Sequence, residues 1–358
     1  SIVIGNATNS LNLALGAGVT VTNNGALTLY GNLVGGSAAS TWVNGPNSTI
    51  NISGTVLATG VLNTITGANT VRYIGGAQSI KVPNGSYSTL EIAGTGTKVL
   101  NATVDVDNAL TIKRGAILNA GTYAITGTGG LTMEENSEYL MQRSAAGVYP
   151  ELAGNYNLAY GTITINQTAN VTTLASAIYN NVKLTGTQPC DLSGVEVING
   201  SLMIQNGASV INNGAMFIDG ELVLSSTAVS ELASDIVVGG INITAGGLND
   251  GARTITINNG SWLNNGGVTT LTGLVVFKGN TAQTIGGSQA TTFYNLAMRN
   301  PAGISLNVSP AVPTVIKNDL LLDSGVIYTT TLNILKLTDT ATSSMGNALS
   351  YIDGPMVK

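Results

Sequence analysis

A short apolar-x-apolar triplet returns at intervals of about 20 residues along this chain, and few folds can accommodate that rhythm. In the clearest stretch, Asn199–Leu224, the triplets Leu202/Ile204 and Leu222/Leu224 are separated by Asn206-Gly207, Asn213-Gly214 and Asp219-Gly220. Apolar alternation this short, bounded by Asn-Gly or Asp-Gly, reads as a very short strand between tight turns. A helix would need apolar positions three and four apart and few glycines. Val182/Leu184 lie one such interval before Leu202/Ile204, and Ile241/Ile243 one after Leu222/Leu224. Upstream, Ile50/Ile52, Val71/Tyr73, Leu90/Ile92, Leu110/Ile112 and Leu131/Met133 step by 21, 19, 20 and 21. Ile163/Ile165, Leu274/Val276 and Leu296/Met298 continue the series. One such coil cannot bury its apolar edge alone, so coils must stack. The predicted fold is an all-β, elongated parallel β-solenoid (β-helix) with coils of about 20 residues, running over 1–358 as a single array.

Composition agrees with stacked coils. Charged residues are 9% and aromatics 5%, against about 25% charged in an ordinary globular protein. The surface must therefore be covered by Asn, Thr, Ser and Gly, and the 46 glycines supply corners rather than interrupting helices. Thirteen Lys and Arg, spread thinly at a net charge of −5, make no basic patch for phosphates, which argues against nucleic acid and anionic membranes as partners. Apolar runs such as Leu274–Phe277 are far too short to span a membrane. The lone Cys190 excludes an intrachain disulfide, so stacked hydrogen bonds must supply the stability. Ser1–Ile4 begins inside a strand-like pattern, which reads as an excerpt of a longer repeat protein.

The rhythm breaks at two places. The step from Met133 to Ile163 is half as long again as the others, and the extra length reads as an irregular loop insertion at 134–160. It gathers Glu134, Glu135, Glu138, Arg143 and Glu151, with four of the chain's 12 tyrosines: Tyr139, Tyr149, Tyr156 and Tyr160. Loops thrown out from repeats often carry binding, and tyrosine stacks on sugars or packs at interfaces. Tyr139, Tyr149, Tyr156 and the three glutamates are thus candidate contacts for a glycan or partner, and the glutamates a candidate calcium site. The alternative is that the tyrosines only cover an open coil. Ile243 to Leu274 is the second break and reads as an additional or irregular coil around Ile255 and Trp262. Gly35–Pro46 reads as a loop leaving Trp42 partly exposed, and Ser225–Ile236 as either a loop or a short helix capped by Ser226.

A longer unit also repeats. Tyr73, Gln78, Tyr87 and Leu90 align with Phe277, Gln283, Tyr294 and Leu296. Together with Phe277-x-Gly279, Gln283-Thr284-Ile285, Phe293–Leu296, Gly325 and Tyr351–Pro355, this unit resembles the tandem repeats of very large, adhesin-like cell-surface proteins of the Bacteroidota. The likeness is clearest over 274–358. It implies an extracellular location and export by the type IX secretion system, although that family's C-terminal sorting domain is not seen here. It also implies O-glycans at Asp-Ser/Thr-apolar sites, and Asp339-Thr340-Ala341 fits, with Thr340 the acceptor.

Catalytic chemistry finds little to work with. There is no histidine, which removes the commonest general base and the Ser-His-Asp triad. Cys190 has no histidine to activate it and reads as a small buried hydrophobe. Asp105 and Asp107 alternate with Val104 and Val106, which puts both carboxylates on the outer face of a strand. Such a pair suits solvent, or in the alternative a β-helical polysaccharide lyase or hydrolase. Asn-Gly turns one coil apart are expected to stack asparagines into ladders at the corners. These observations point to a non-enzymatic structural or adhesive module without cofactor. Its partners would be neighbouring repeats, copies of itself or surface glycans, with a polysaccharide-cleaving enzyme or a passive spacer stalk as alternatives.

Overall fold

Short strands between glycine- and asparagine-rich corners can satisfy their backbone groups only by pairing with the equivalent strand of another coil. The computed structural model describes residues 1–64, 67–195 and 197–358, and all regular structure within them is strand. The chain divides into two compact units, residues 1–144 with 148–166 and residues 145–147 with 167–358. Each is a parallel β-solenoid.

In the first unit two apolar columns run through the stack. Leu27, Ile50, Val71, Leu90, Leu110 and Leu131 lie in register from coil to coil, and Leu29, Ile52, Tyr73, Ile92, Ile112 and Met133 form a second column two residues along. All twelve are buried. The residue between each pair faces out: Thr28, Asn51, Arg72, Glu91, Thr111 and Thr132. The second unit repeats the device. Val182, Leu202, Leu222, Ile241, Trp262, Ile285 and Leu306 form one column, and Leu184, Ile204, Leu224 and Ile243 another. The six triplet residues from Val182 to Leu224 are between 0% and 3% exposed, so the alternation read from the sequence is the alternation of the fold.

Several expectations are corrected. The stretch 134–160 is not a loop thrown clear of the array. Glu138–Arg143 is a strand in register with Ile117–Gly121, with Tyr139 beside Leu118 and Leu140 beside Asn119. Trp42 is 2% exposed, inside the strand Thr41–Asn44. Ser225 and Ser226 begin no helix: they lie in the strand Met216–Glu231, where the buried Ser226 hydroxyl bridges the carbonyls of Asn206 and Ala208 at 3.0 and 2.7 Å. At 274–278 Val275 and Phe277, rather than Leu274 and Val276, continue the columns of Ile255 and Ile257, while Val276 is buried on the opposite face at 3% exposure. Residues 254–264 form an additional coil, Ile255 stacking on Ile236 and Trp262 on Ile241. In the longer repeat, the counterpart of buried Tyr87 is buried Phe293, because Tyr294 faces out.

The corners are tied by side chains. Asn23 donates to Asn44 at 2.9 Å and Asn44 to Asn69 at 3.3 Å, an asparagine ladder across three coils. The recurring glutamines do one job in both units. The Gln78 amide donates to the carbonyls of Ile52 (3.1 Å) and Gly54 (2.8 Å), and that of Gln283 to Ile257 (3.1 Å) and Gly260 (2.9 Å). Lys98, in register with Gln78, holds the carbonyls of Gly75 and Thr95 at 2.8 Å each, and burial pushes its ammonium down to about 8. Gly325 sits where only glycine fits: its φ is 97° and a Cβ would come within 1.8 Å of the Asn300 carbonyl oxygen.

Candidate functional site

Two of the three candidate tyrosines, Tyr139 and Tyr149, turn inward. The segment EYLMQR alternates, and Tyr139, Met141 and Arg143 are the buried set. Tyr139 is fully buried and Tyr149 is 5% exposed, while Tyr156 is half-buried. Arg143 ends the inward row with a side chain only 4% exposed, so its charge needs a partner. Glu151 supplies it at 3.1 Å, the Gly121 carbonyl accepts a second guanidinium proton at 2.9 Å, and the Tyr149 ring stacks 4.9 Å from the guanidinium carbon. The Tyr156 hydroxyl reaches the carbonyls of Pro150 and Leu152 at 2.8 and 2.5 Å. This cluster pins 149–156 back onto the coil. Tyr139 and Tyr149 are buried within it, as the cover reading of the sequence expects, and Tyr156 is partly exposed.

Burial pushes the Glu151 carboxyl above its ordinary range, more than the Arg143 charge draws it down. A carboxyl raised in the fold favours its neutral form there. Its stability contribution is therefore complete below the unfolded-state value and is lost as pH rises through the folded one. Arg143→Met, which leaves that half-buried carboxylate without its cation, is expected to cost about 3 kcal/mol at neutral pH. The cost should shrink as the solution is acidified and Glu151 is neutralised. Urea denaturation at several pH values checks this, and a pH-independent cost would contradict it.

The three glutamates each face a different partner. Glu134 faces Lys113 at 2.9 Å and accepts the Arg114 N–H at 3.0 Å, and Glu135 pairs with Arg114 at 2.7 Å. The Lys113 hydrogen bond draws the Glu134 carboxyl below its usual range. Glu138 accepts the Thr164 hydroxyl at 2.6 Å. Lys113 also lies 3.9 Å from Glu91, which pairs with Arg72, so alternating charges Arg72, Glu91, Lys113 and Glu134 climb successive coils. Among the described residues no three Asp, Glu, Cys or His side chains converge.

Asp105 and Asp107 both face out, Asp105 accepting from the Thr126 hydroxyl and Asp107 from that of Ser86. Cys190 is buried, in contact with Thr172, and burial pushes its thiol up to about 12. Thr340 is exposed on a turn after the strand Leu335–Leu337. A depression elsewhere in the first unit, lined by Asn32, Thr55, Ser79 and Thr97, carries no sequence signal, since outward small polar residues look alike in every strand. Among the described residues no helix is long and apolar enough to cross a membrane. Compared with known proteins, the chain matches no family model, no curated protein and no solved structure.

Proposed function

We propose that this chain is a structural and adhesive module of a bacterial cell-surface protein, exported and built from further repeats of the same kind. The observation that carries the reading is where the polar side chains are spent, outward ions and inward asparagines alike. The ions climb from coil to coil through Arg72, Glu91, Lys113 and Glu134, and the asparagines through Asn23, Asn44 and Asn69. Side chains committed to holding adjacent coils together suit a scaffold that presents a surface. The sequence resemblance to adhesin-like repeats supports the same reading, and exposed Thr340 suits glycan attachment.

Display of the chain on a non-adherent cell tests the proposal. Retention under flow on glycan- or protein-coated surfaces should rise severalfold over cells without it. Equal retention on every surface would leave only a passive spacer. The purified chain should release neither reducing ends nor unsaturated sugars from polysaccharides. Release abolished by Asp105→Ala or Asp107→Ala would replace this reading with that of an enzyme.

A further inference from the structure

A trough of about 580 Å³ opens on the first unit, lined by Asn32, Thr55, Ala77, Ser79, Thr97 and Val99. Two smaller hollows of about 340 and 240 Å³ share Thr55 with it, so the depression continues over successive coils. The adjoining 340 Å³ hollow is lined in part by a residue with a strained backbone. Leu57 has a φ of 43°, a left-handed conformation that a bulky residue rarely adopts. It persists because it is held three ways: the side chain is fully buried, its N–H donates to the Leu33 carbonyl at 2.8 Å, and its carbonyl accepts the Lys81 ammonium at 2.7 Å. The chain leaves Leu57 through exposed Ala58 and Thr59. Buried Gln78 and Lys98 fix the floor from below. Strain that is over-determined in this way is characteristic of sites that must hold a shape.

The lining chemistry narrows what fits. Among the described residues, the hydroxyls of Thr55, Ser79 and Thr97 and the amide nitrogen of Asn32 make no hydrogen bond within the protein, whereas the Asn32 carbonyl oxygen is taken by the Thr55 N–H at 2.7 Å. Among the described residues lining the three hollows, Lys81 is the one ionisable group, and it is committed to Leu57. The trough therefore offers neutral donors and acceptors from several coils, interleaved with apolar surface: Ser79 lies in register with Val99, and Ala77 also lines the trough. A polymer of polyhydroxylated rings, polar at the edges and apolar on the faces, matches that pattern. An acidic one would find no free cation among the described lining residues.

We infer that this trough binds a neutral polysaccharide chain along the stack, a proposal that rests on the adhesive reading and moves its contact surface away from the tyrosine cluster. Affinity electrophoresis through galactomannan, xyloglucan and mixed-linkage β-glucan, with polygalacturonate as the anionic comparison, tests it. At least one neutral polysaccharide should retard the wild-type chain. Ser79→Tyr, which fills the trough from an exposed position, should weaken that retardation roughly tenfold or more, and Thr55→Val with Ser79→Ala, which removes two hydroxyls, by roughly tenfold. The double variant answers the question if the tyrosine variant does not fold. Tyr160→Ala should change nothing. Retardation by no neutral polysaccharide, retardation by polygalacturonate alone, or full retardation of both trough variants would overturn the proposal. Attachment under flow that survives Ser79→Tyr would overturn the trough while leaving the adhesive reading intact, and loss of all attachment by the wild-type chain would remove that reading itself.

Discussion

Leu222→Asp is expected to unfold the second unit's coil stack around position 222, at a cost of about 4 kcal/mol or more. Leu222 is 3% exposed and lies in register between Leu202 and Ile241. A carboxylate there loses its water and finds only aliphatic neighbours above and below. Because each coil is the template for the next, the damage should spread to Leu202, Ile204 and Ile243. Total stabilities of ordinary domains are about 5–15 kcal/mol, so one such substitution removes a large share. Denaturation in urea, with hydrogen exchange at the neighbouring strands, measures it. Val223→Asp, at the outward position between the two columns, should cost under about 1 kcal/mol. Equal effects at 222 and 223 would contradict the assignment of faces.

Asp250, a fully buried carboxylate, is the other position where a single change should cost the fold dearly. It accepts the N–H groups of Thr272 (2.9 Å), Gly273 (2.9 Å) and Ala252 (3.1 Å) and the Thr272 hydroxyl (3.1 Å), fastening one corner to the next. Asp250→Leu orphans those donors in a buried corner. At about 1–3 kcal/mol for each unsatisfied group, a loss of at least about 3 kcal/mol is expected. Asp250→Asn keeps one carbonyl oxygen and should retain part of the stability. Thermal and urea unfolding of the two variants tests the ranking, and a leucine variant as stable as wild type would refute the corner's role.

The part of the fold legible in the sequence was the part governed by simple periods. Leu202, Ile204, Leu222 and Leu224 repeat at two residues and at one coil, and both spacings survive into the structure. Elsewhere local composition hid the period. In Leu274–Phe277 four apolar residues in a row conceal which two point inward, and pairing with Ile255 and Ile257 decides for Val275 and Phe277. At 134–160 charge and tyrosine content suggested a loop, although Tyr139, Met141 and Arg143 already alternate as an inward set. The Arg143–Glu151 pair was not legible, because nothing in so short a separation says that a chain folds back on itself. The recurrence of Gln78 and Gln283 was visible, but not that each holds two carbonyls of the coil before it. The left-handed turn at Leu57, beside the trough, was not legible either, since a leucine announces no such turn.

In a parallel solenoid, residues far apart in sequence are stacked rungs of one ladder. Lys183, Met203, Val223, Asn242 and Leu263 lie successively in register on the outward face of the second unit. Four steps of about 4.8 Å put the backbones of Lys183 and Leu263 roughly 19 Å apart. Spin labels at Lys183→Cys and Leu263→Cys, in a Cys190→Ala background, allow that distance to be measured by pulsed electron paramagnetic resonance. Stacked coils predict a narrow distribution centred at roughly 19 Å, widened only by the label arms. A broad distribution, or one centred at more than about twice that distance, would contradict the stacking.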